Sequence, residues 1–506
     1  MNKSSNIKFW TFLSFLFLSI NGFSQLGYYN HAAIYSNLKV RGSARVMGIG
    51  GGGTALGADL GTIVLNPAGY GLTRKSEFSF SPVFGFANTE SSYLGTKTND
   101  NKTSFSIGQM GLVFATDTDP LTEEDWRGGT FGITFTRTNE FNNQFAYKGL
   151  NSNNSITDYF VEIADGLSEM DLSPADNEIE YLDQLVYKSY LIDPNPLYPN
   201  RYFSVIGEET VSQEEIVLSK GGQYQWDIAY GANYMDKLYI GGSLGIASIR
   251  HIQDKSYKET ILPTPDTLVS FIFNDNTKTT GTGINFKFGI IYKINDFVRL
   301  GTSIQTPTWY TMKDSYIYQM RSKFFNYDPG NSGYQLNDLN LRTIPATYKY
   351  SLTTPLRWNS GAAVFFGKNG FLSADVEVVP YNSAVVQDPE DRFLFSDDNR
   401  FIKDNMRTVA NIRAGGEYRI QNFNLRAGAA VLPDPFKNTI DNVNRTVVQV
   451  TAGAGMRSTE YYLDVALVKS YFNSIYKPYT LSDGTEPTAT IKNRLTNFVI
   501  TAGAFF

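Results

Sequence analysis

Apolar and polar residues alternate with a period of two in one segment after another of this sequence, and that period builds strands with one apolar and one polar face. Residues 77–86 set Phe78, Phe80, Phe84 and Phe86 on one side. Phe131, Ile133 and Phe135 alternate with Gly132, Thr134 and Thr136. Residues 223–234 align Tyr224, Trp226, Ile228, Tyr230, Ala232 and Tyr234 against Gln223, Gln225, Asp227 and Asn233. The last such segment runs Phe498, Ile500, Ala502, Ala504 and Phe506, ending on the terminal aromatic.

Fourteen strands are predicted, starting near residues 76, 103, 127, 223, 238, 270, 297, 346, 370, 405, 422, 446, 460 and 492. Short turns fall at Met235-Asp236-Lys237, Asn295-Asp296, residues 367–370, Gln421-Asn422 and Ser458-Thr459, and the connections between them read as long. An even strand count with short turns at one end and long loops at the other is the signature of an outer-membrane barrel. The predicted fold is thus an all-β, 14-stranded antiparallel transmembrane β-barrel. A soluble sandwich or propeller explains the alternation but not the parity of the connections or the terminal Phe506. The stretch 117–126, between the second and third strands, is longer than the other turns.

Charged side chains say which face is which. Asp375 and Glu377 oppose Leu372, Ala374, Val376 and Val378; Arg413, Glu417 and Arg419 oppose Ile412, Ala414, Tyr418 and Ile420; Arg426 opposes Leu425 and Ala427. An Arg or Lys on the lipid face costs about 2–4 kcal/mol at the midplane, so these charges face the lumen. Asp375 and Glu377 read first as members of a salt-bridge ladder, then as a polar stretch of substrate path, and last as catalytic carboxylates.

Composition removes most other chemistry. The chain has no Cys and two His, His31 and His251, with a net charge of −5. Thiol catalysis, disulfides and thiolate metal sites are excluded, and a nucleic-acid partner would need basic surface. No cofactor and no metal is expected. Residues 48–53 match a G-x-G-x-x-G spacing, but no βαβ pattern surrounds them. His251, near Ser248 and Asp254, is the one place a hydrolase could start.

Residues 1–24 read as a signal peptide: Lys3 and Lys8, an apolar core over residues 9–20, then Gly22-Phe23-Ser24. That core is too short to span a membrane as a helix. Residues 151–216 carry 14 Asp or Glu against Lys188 and Arg201 and form a long acidic extracellular loop, with short helices expected around 157–167 and 178–191. A solvated cap is the plain reading, and cation binding through carboxylates the other.

Residues 25–75 belong to no strand. They are rich in small side chains and end in Asn66-Pro67-Ala68-Gly69. Irregular backbone is not tolerated against lipid, so this segment, here termed the hatch, fills the lumen, leaving 76–506 as the barrel. A periplasmic tail is the alternative. Gly128, Gly129 and Gly132 would ease a kink in the third strand, and polar Arg137, Asn139 and Asn143 interrupt its aromatic face; both features equally suit a strand that rises beyond the outer leaflet.

A small-residue segment ending in Asn66-Pro67-Ala68-Gly69, ahead of fourteen strands and a terminal aromatic, resembles the long-chain fatty-acid transporter (FadL/TodX) family of outer-membrane channels. Residues 299–307, Arg137-Thr-Asn-Glu-Phe141-Asn142, and residues 415–419 with 425–428 add to the likeness. The resemblance implies a lumenal hatch, an apolar path, and a kinked third strand through which ligand leaves sideways into the membrane. It places Asn66, Pro67 and Ala68 where they hold the hatch beside that kink. The implied function is passive uptake of hydrophobic compounds such as long-chain fatty acids by a monomer in outer-membrane lipid of a Gram-negative bacterium, with no catalysis. The alternatives are a non-transporting barrel that serves a cell-surface or secretion assembly, and a membrane hydrolase in which His251 reaches a serine.

Overall fold

Along the wall, outward side chains are apolar and inward ones polar or small, and the strands close on themselves. The computed structural model describes residues 27–39, 42–117, 124–173, 178–263, 267–328, 333, 335–437 and 440–506. The predicted signal, residues 1–24, lies outside them. Fourteen wall strands follow in chain order. The first seven are β1 (Glu77–Tyr93), β2 (Thr96–Asp117), β3 (Trp126–Glu140, continued by Asn143–Asn151), β4 (Thr210–Tyr234), β5 (Leu238–Leu262), β6 (Leu268–Lys293) and β7 (Val298–Gln305 and Trp309–Tyr327). The rest are β8 (Ala346–Thr353 and Arg357–Phe365), β9 (Gly370–Pro380), β10 (Thr408–Ile420), β11 (Phe423–Leu432), β12 (Val447–Arg457), β13 (Tyr461–Tyr476) and β14 (Ala489–Phe505).

Neighbours pair antiparallel, and β1 closes the ring on β14 from Glu77 opposite Phe505 to Ser92 opposite Thr490. A closed ring leaves no edge strand to aggregate or to expose backbone to lipid. Phe78, Phe105, Trp226, Tyr230, Phe288, Leu372, Ile412 and Leu425 point outward and are exposed, whereas Asp375, Glu377, Arg413, Glu417 and Arg426 are buried in the lumen. The charge argument thus assigns the faces correctly. Among the described residues no helix is long and apolar enough to cross a membrane.

The connections differ from expectation at two places. Leu94 and Gly95, at φ of 44° and 81°, make a two-residue hairpin between β1 and β2, and β5 and β6 are separated only by residues 263–267. At the β1–β2 hairpin the long-loop rule fails because residues 96–101 are polar on both faces. Strand pairing continues past the apolar belt, but the alternation that betrays a strand does not.

Wall height varies around the ring. β4, β5 and β6 have 25, 25 and 26 residues, whereas β10, β11 and β12 have 13, 10 and 11. On the tall side the acidic stretch forms a folded cap from helices α3 (Ile156–Ala164), α4 (Glu169–Leu172) and α5 (Leu182–Lys188). Ser155 and Asp158 form a capping box on α3. Phe160, Leu172 and Leu185 pack on Tyr257, Phe271 and Phe273 of the tall strands. On the low side α6 (Ser396–Asn405) sits in the β9–β10 connection.

Candidate functional site

Residues 42–75, the larger part of the hatch expected over 25–75, lie against the inward face of the wall and fold by local capping. Ser43 caps the short helix α2 (Ala44–Gly48), accepting from Val46 N at 3.3 Å, and donates its hydroxyl to Asp59 at 2.7 Å. Asn66 caps a 3-10 turn, Pro67–Leu72, with Pro67 in the first position, where a missing N–H costs nothing. Its Oδ1 accepts from Ala68 N at 3.0 Å. Its Nδ2 donates to the carbonyls of Thr54 at 2.8 Å, Ile290 on β6 at 3.1 Å and Thr302 on β7 at 3.3 Å.

Close approach of hatch and wall backbone depends on glycine. Gly231, Gly241 and Gly289 stand directly opposite one another on β4, β5 and β6. A Cβ on Gly241 would come within 2.5 Å of the Pro67 backbone, and one on Gly289 would overlap Asn66 Oδ1. Gly69 itself touches Gly57 inside the hatch. The Asn66-Pro67-Ala68 triplet therefore docks on β4 to β7, and Tyr70 of the same turn reaches Thr134 of β3 at 2.8 Å. No alternation reveals this row, because glycine registers as neither apolar nor polar.

Charges lock the rest of the hatch. Asp375 accepts from Gly53 N at 2.9 Å and Thr54 N at 2.8 Å, so it anchors the hatch. Glu377 alone fits the ladder reading, held by Arg357 and Arg413, each at 2.7 Å. Arg45 of α2 reaches Glu417 at 3.1 Å, which also binds Arg426 and Arg419 at 2.7 Å. Lys287 Nζ donates to the Val64 carbonyl at 2.7 Å. The cavity left between the hatch and the segment above it is only about 30 Å³.

Above the hatch, helix α1 (Tyr28–Ser36) runs inside the lumen. It has no apolar stripe and lacks a side-chain N-cap, so contacts with the surrounding wall hold it. Ala32, Tyr35 and Tyr28 pack among Phe141, Ala247, Ile249, Tyr310, Tyr350 and Phe395. Tyr29 N donates to Asp398 of α6 at 2.9 Å. Both histidines meet here: His31 Nδ1 pairs with Tyr350 Oη at 2.9 Å and His251 Nδ1 with Tyr35 Oη at 3.1 Å. The hydrolase alternative asked for a serine on His251, and that nitrogen is taken by a tyrosine; Asp254 binds Lys220 and Asn276 instead.

The wall itself is incomplete. Pairing between β2 and β3 runs from Asp117 opposite Gly128 to Gln109 opposite Thr136 and stops. Beyond it, β2 continues on β1 to Thr96, and β3 continues on β4 to Asn151. Side chains alone bridge this seam: Ser104 Oγ donates to Glu140 at 2.9 Å and Gln144 Nε2 to Asp100 at 3.0 Å. The cause is local to β3, where the register shifts between Arg137 and Asn139 and the strand breaks at Phe141-Asn142. The three glycines lie lower. Gly128, at φ 130°, sits in a separate register shift, Gly132 lies under the Tyr70 ring of the hatch and Gly129 under Tyr230. α1 backs the seam from inside: Asn139 Nδ2 donates to the carbonyls of Ile34 and Asn37, and Phe141 packs on both Tyr35 and His251.

Among the described residues, no cluster of acidic and histidine side chains is placed to hold a metal ion. No protein-family model and no curated protein sequence matches the chain. Solved structures do. The toluene transporter TodX of Pseudomonas putida superposes with a TM-score of 0.52 at 12% identity, covering 92% of this chain and 99% of that one. A Pseudomonas aeruginosa FadL homologue gives 0.51 at 14% identity, over 92% and 98%. At these identities the likeness is one of architecture, and over nearly its whole length the chain has the fold of the FadL/TodX channels.

Proposed function

We propose that this protein is a passive outer-membrane channel that takes up hydrophobic compounds and releases them sideways through the seam between β2 and β3. The observation that carries the reading is the seam itself. A transmembrane wall normally pairs every backbone group, and here the ladder stops at Gln109–Thr136 although both strands run on. A hatch sealing the base of the lumen leaves a sideways exit as the shortest route for an apolar solute. Likeness to a toluene transporter and a FadL homologue supports the same class of cargo. The turn-bearing end with Phe506 faces the periplasm, the cap faces outward, and the barrel works as a monomer in outer-membrane lipid.

Long-chain fatty acids are the default cargo. Apolar burial, worth about 25 cal/mol per Å², would hold them in the chamber that α1 occupies, once that helix moves aside. Mass spectrometry of apolar molecules co-purifying with the wild type and with Asn66→Ala tests this. Long-chain acids or hydrocarbons in the wild type, altered in the variant, are expected. Empty profiles in both, together with no uptake by cells, would overturn it.

A second reading, a partner in a surface assembly, draws on one observation: the cap leaves Met170, Leu197 and Tyr198 exposed at 82%, 80% and 63%. Co-purification of another protein at fixed stoichiometry would favour it.

A further inference from the structure

Five neighbouring strands share one outward row in register. Phe131 on β3 faces Tyr230 on β4, Tyr230 faces Gly242 on β5, Gly242 faces Phe288 on β6, and Phe288 faces Ile304 on β7. Four of these side chains are large, and the middle strand contributes none. Ile228, Leu244 and Phe286, two residues further along their strands, close one side. The result is a groove of about 500 Å³ in the outer face of the barrel, lined almost wholly by apolar groups. The gap is not forced by packing. A Cβ on Gly242 would find nothing nearer than the Lys287 carbonyl oxygen at 3.7 Å. On the inner side of the same strands Gly231, Gly241 and Gly289 carry the Asn66-Pro67 turn, so backbone alone separates hatch from groove.

We propose that this groove binds one acyl chain of a phospholipid in the periplasmic leaflet. The inference rests on the outer-membrane reading and not on which compound the lumen carries. The groove is continuous with the apolar belt, so hydrocarbon covers it. Charge complementarity selects the lipid: Lys237 is exposed in the turn at the foot of β5, where it meets a phosphate. From there to Gly242 the strand runs roughly 3.3 Å per residue, about 16 Å along its length and about 12 Å in depth at the tilt usual for such barrels, the depth of the middle of an acyl chain whose phosphate lies at the interface. The chain would run from Lys237 past Ile240 and fill the place of the missing side chain.

Native mass spectrometry of the full-length protein in micelles supplemented with dioleoylphosphatidylethanolamine tests this. Gly242→Leu fills the groove with the bulk of a side chain. Ala452→Leu adds similar bulk at an exposed position of β12, outside the five strands. Wild type and Ala452→Leu are expected to retain one phospholipid per barrel, Gly242→Leu about tenfold less, and Lys237→Gln an intermediate amount. Equal retention by all four proteins, or none by the wild type, overturns the proposal. Uptake of an apolar compound by cells carrying the wild type is scored separately and bears only on the channel reading, so failure of one is told apart from failure of the other.

Discussion

Asn66 donates its side-chain amide to the main-chain carbonyl of Ile290 at 3.1 Å, a bond from the hatch directly to the backbone of the wall. The same amide holds Thr54 and Thr302, so one side chain joins two parts of the hatch to two strands. Replacing Asn66 by Ala strips these bonds, at about 1–3 kcal/mol for each buried group left unpaired. The barrel is expected to stay folded while the hatch loosens, seen as an increase in ion conductance across planar bilayers. Conductance equal to wild type would refute the anchoring role.

Gly241 and Gly242 are chain neighbours with opposite surroundings, and alanine at each makes a matched comparison. At Gly241 the new Cβ meets the Pro67 backbone at 2.5 Å, whereas at Gly242 it meets nothing closer than 3.7 Å. Overpacking typically costs 1–3 kcal/mol. Gly241→Ala should therefore displace the hatch and raise protease sensitivity around Pro67, with Gly242→Ala indistinguishable from wild type. Similar digestion patterns for both would show that the hatch does not press on the wall.

The seam can be closed chemically because the chain has no native cysteine. Ser104→Cys with Glu140→Cys, a pair hydrogen-bonded across the gap at 2.9 Å, can be bridged by a short bis-methanethiosulfonate linker. Uptake of the apolar cargo is expected to fall about tenfold on linking and to recover with reductant, while single-cysteine controls treated alike are unaffected. Uptake that survives the bridge rules out sideways release there.

Docking of α1 should depend on pH through His31. Burial lowers the imidazole from 6.5 to about 4, with Lys255 acting in the same direction; Asp314 lies 3.7 Å away, and Tyr28, Tyr35 and Tyr350 surround the ring. Between about 4 and 6.5 the undocked helix takes up a proton that the docked one refuses. Docking is then at full strength above about 6.5 and is lost as pH falls toward 4. A spin label at Ile34→Cys, an exposed position of α1, should gain mobility over that window. His251 bonds Tyr35 of the same helix, so the profile should flatten with His31→Asn and His251→Asn together; an unchanged profile in the double variant would assign the effect to another group.

Legibility followed side-chain chemistry. Period-two alternation locates the wall, and the cost of charge in lipid orients Glu377, Arg413 and Arg426. Asp375 was visible as an inward carboxylate, but its partners are backbone N–H groups of Gly53 and Thr54, which leave no trace in side-chain patterning. The break at Phe141-Asn142 is legible only in part: polar Arg137, Asn139 and Asn143 mark the interruption of β3, but not the partners that cause it. The three glycines of β3 drew attention to flexibility, yet the strand parts where Arg137 Nη2 finds the Gly221 carbonyl at 2.6 Å and Asn139 finds α1, contacts made far along the chain. Helix α1 is not legible in the sequence because nine residues without an apolar stripe show no helical period.

The unequal strand lengths give the channel a slanted mouth. A strand of 25 residues, such as β5, rises roughly 60 Å at the tilt usual for such barrels, against an apolar band of about 25 Å. One side of the wall therefore stands tens of ångströms above the bilayer, like the tall lip of a scoop, while the β10–β12 side ends near the membrane. If the proposed channel reading holds, an apolar solute would enter at the height of the tall lip and not at the membrane surface.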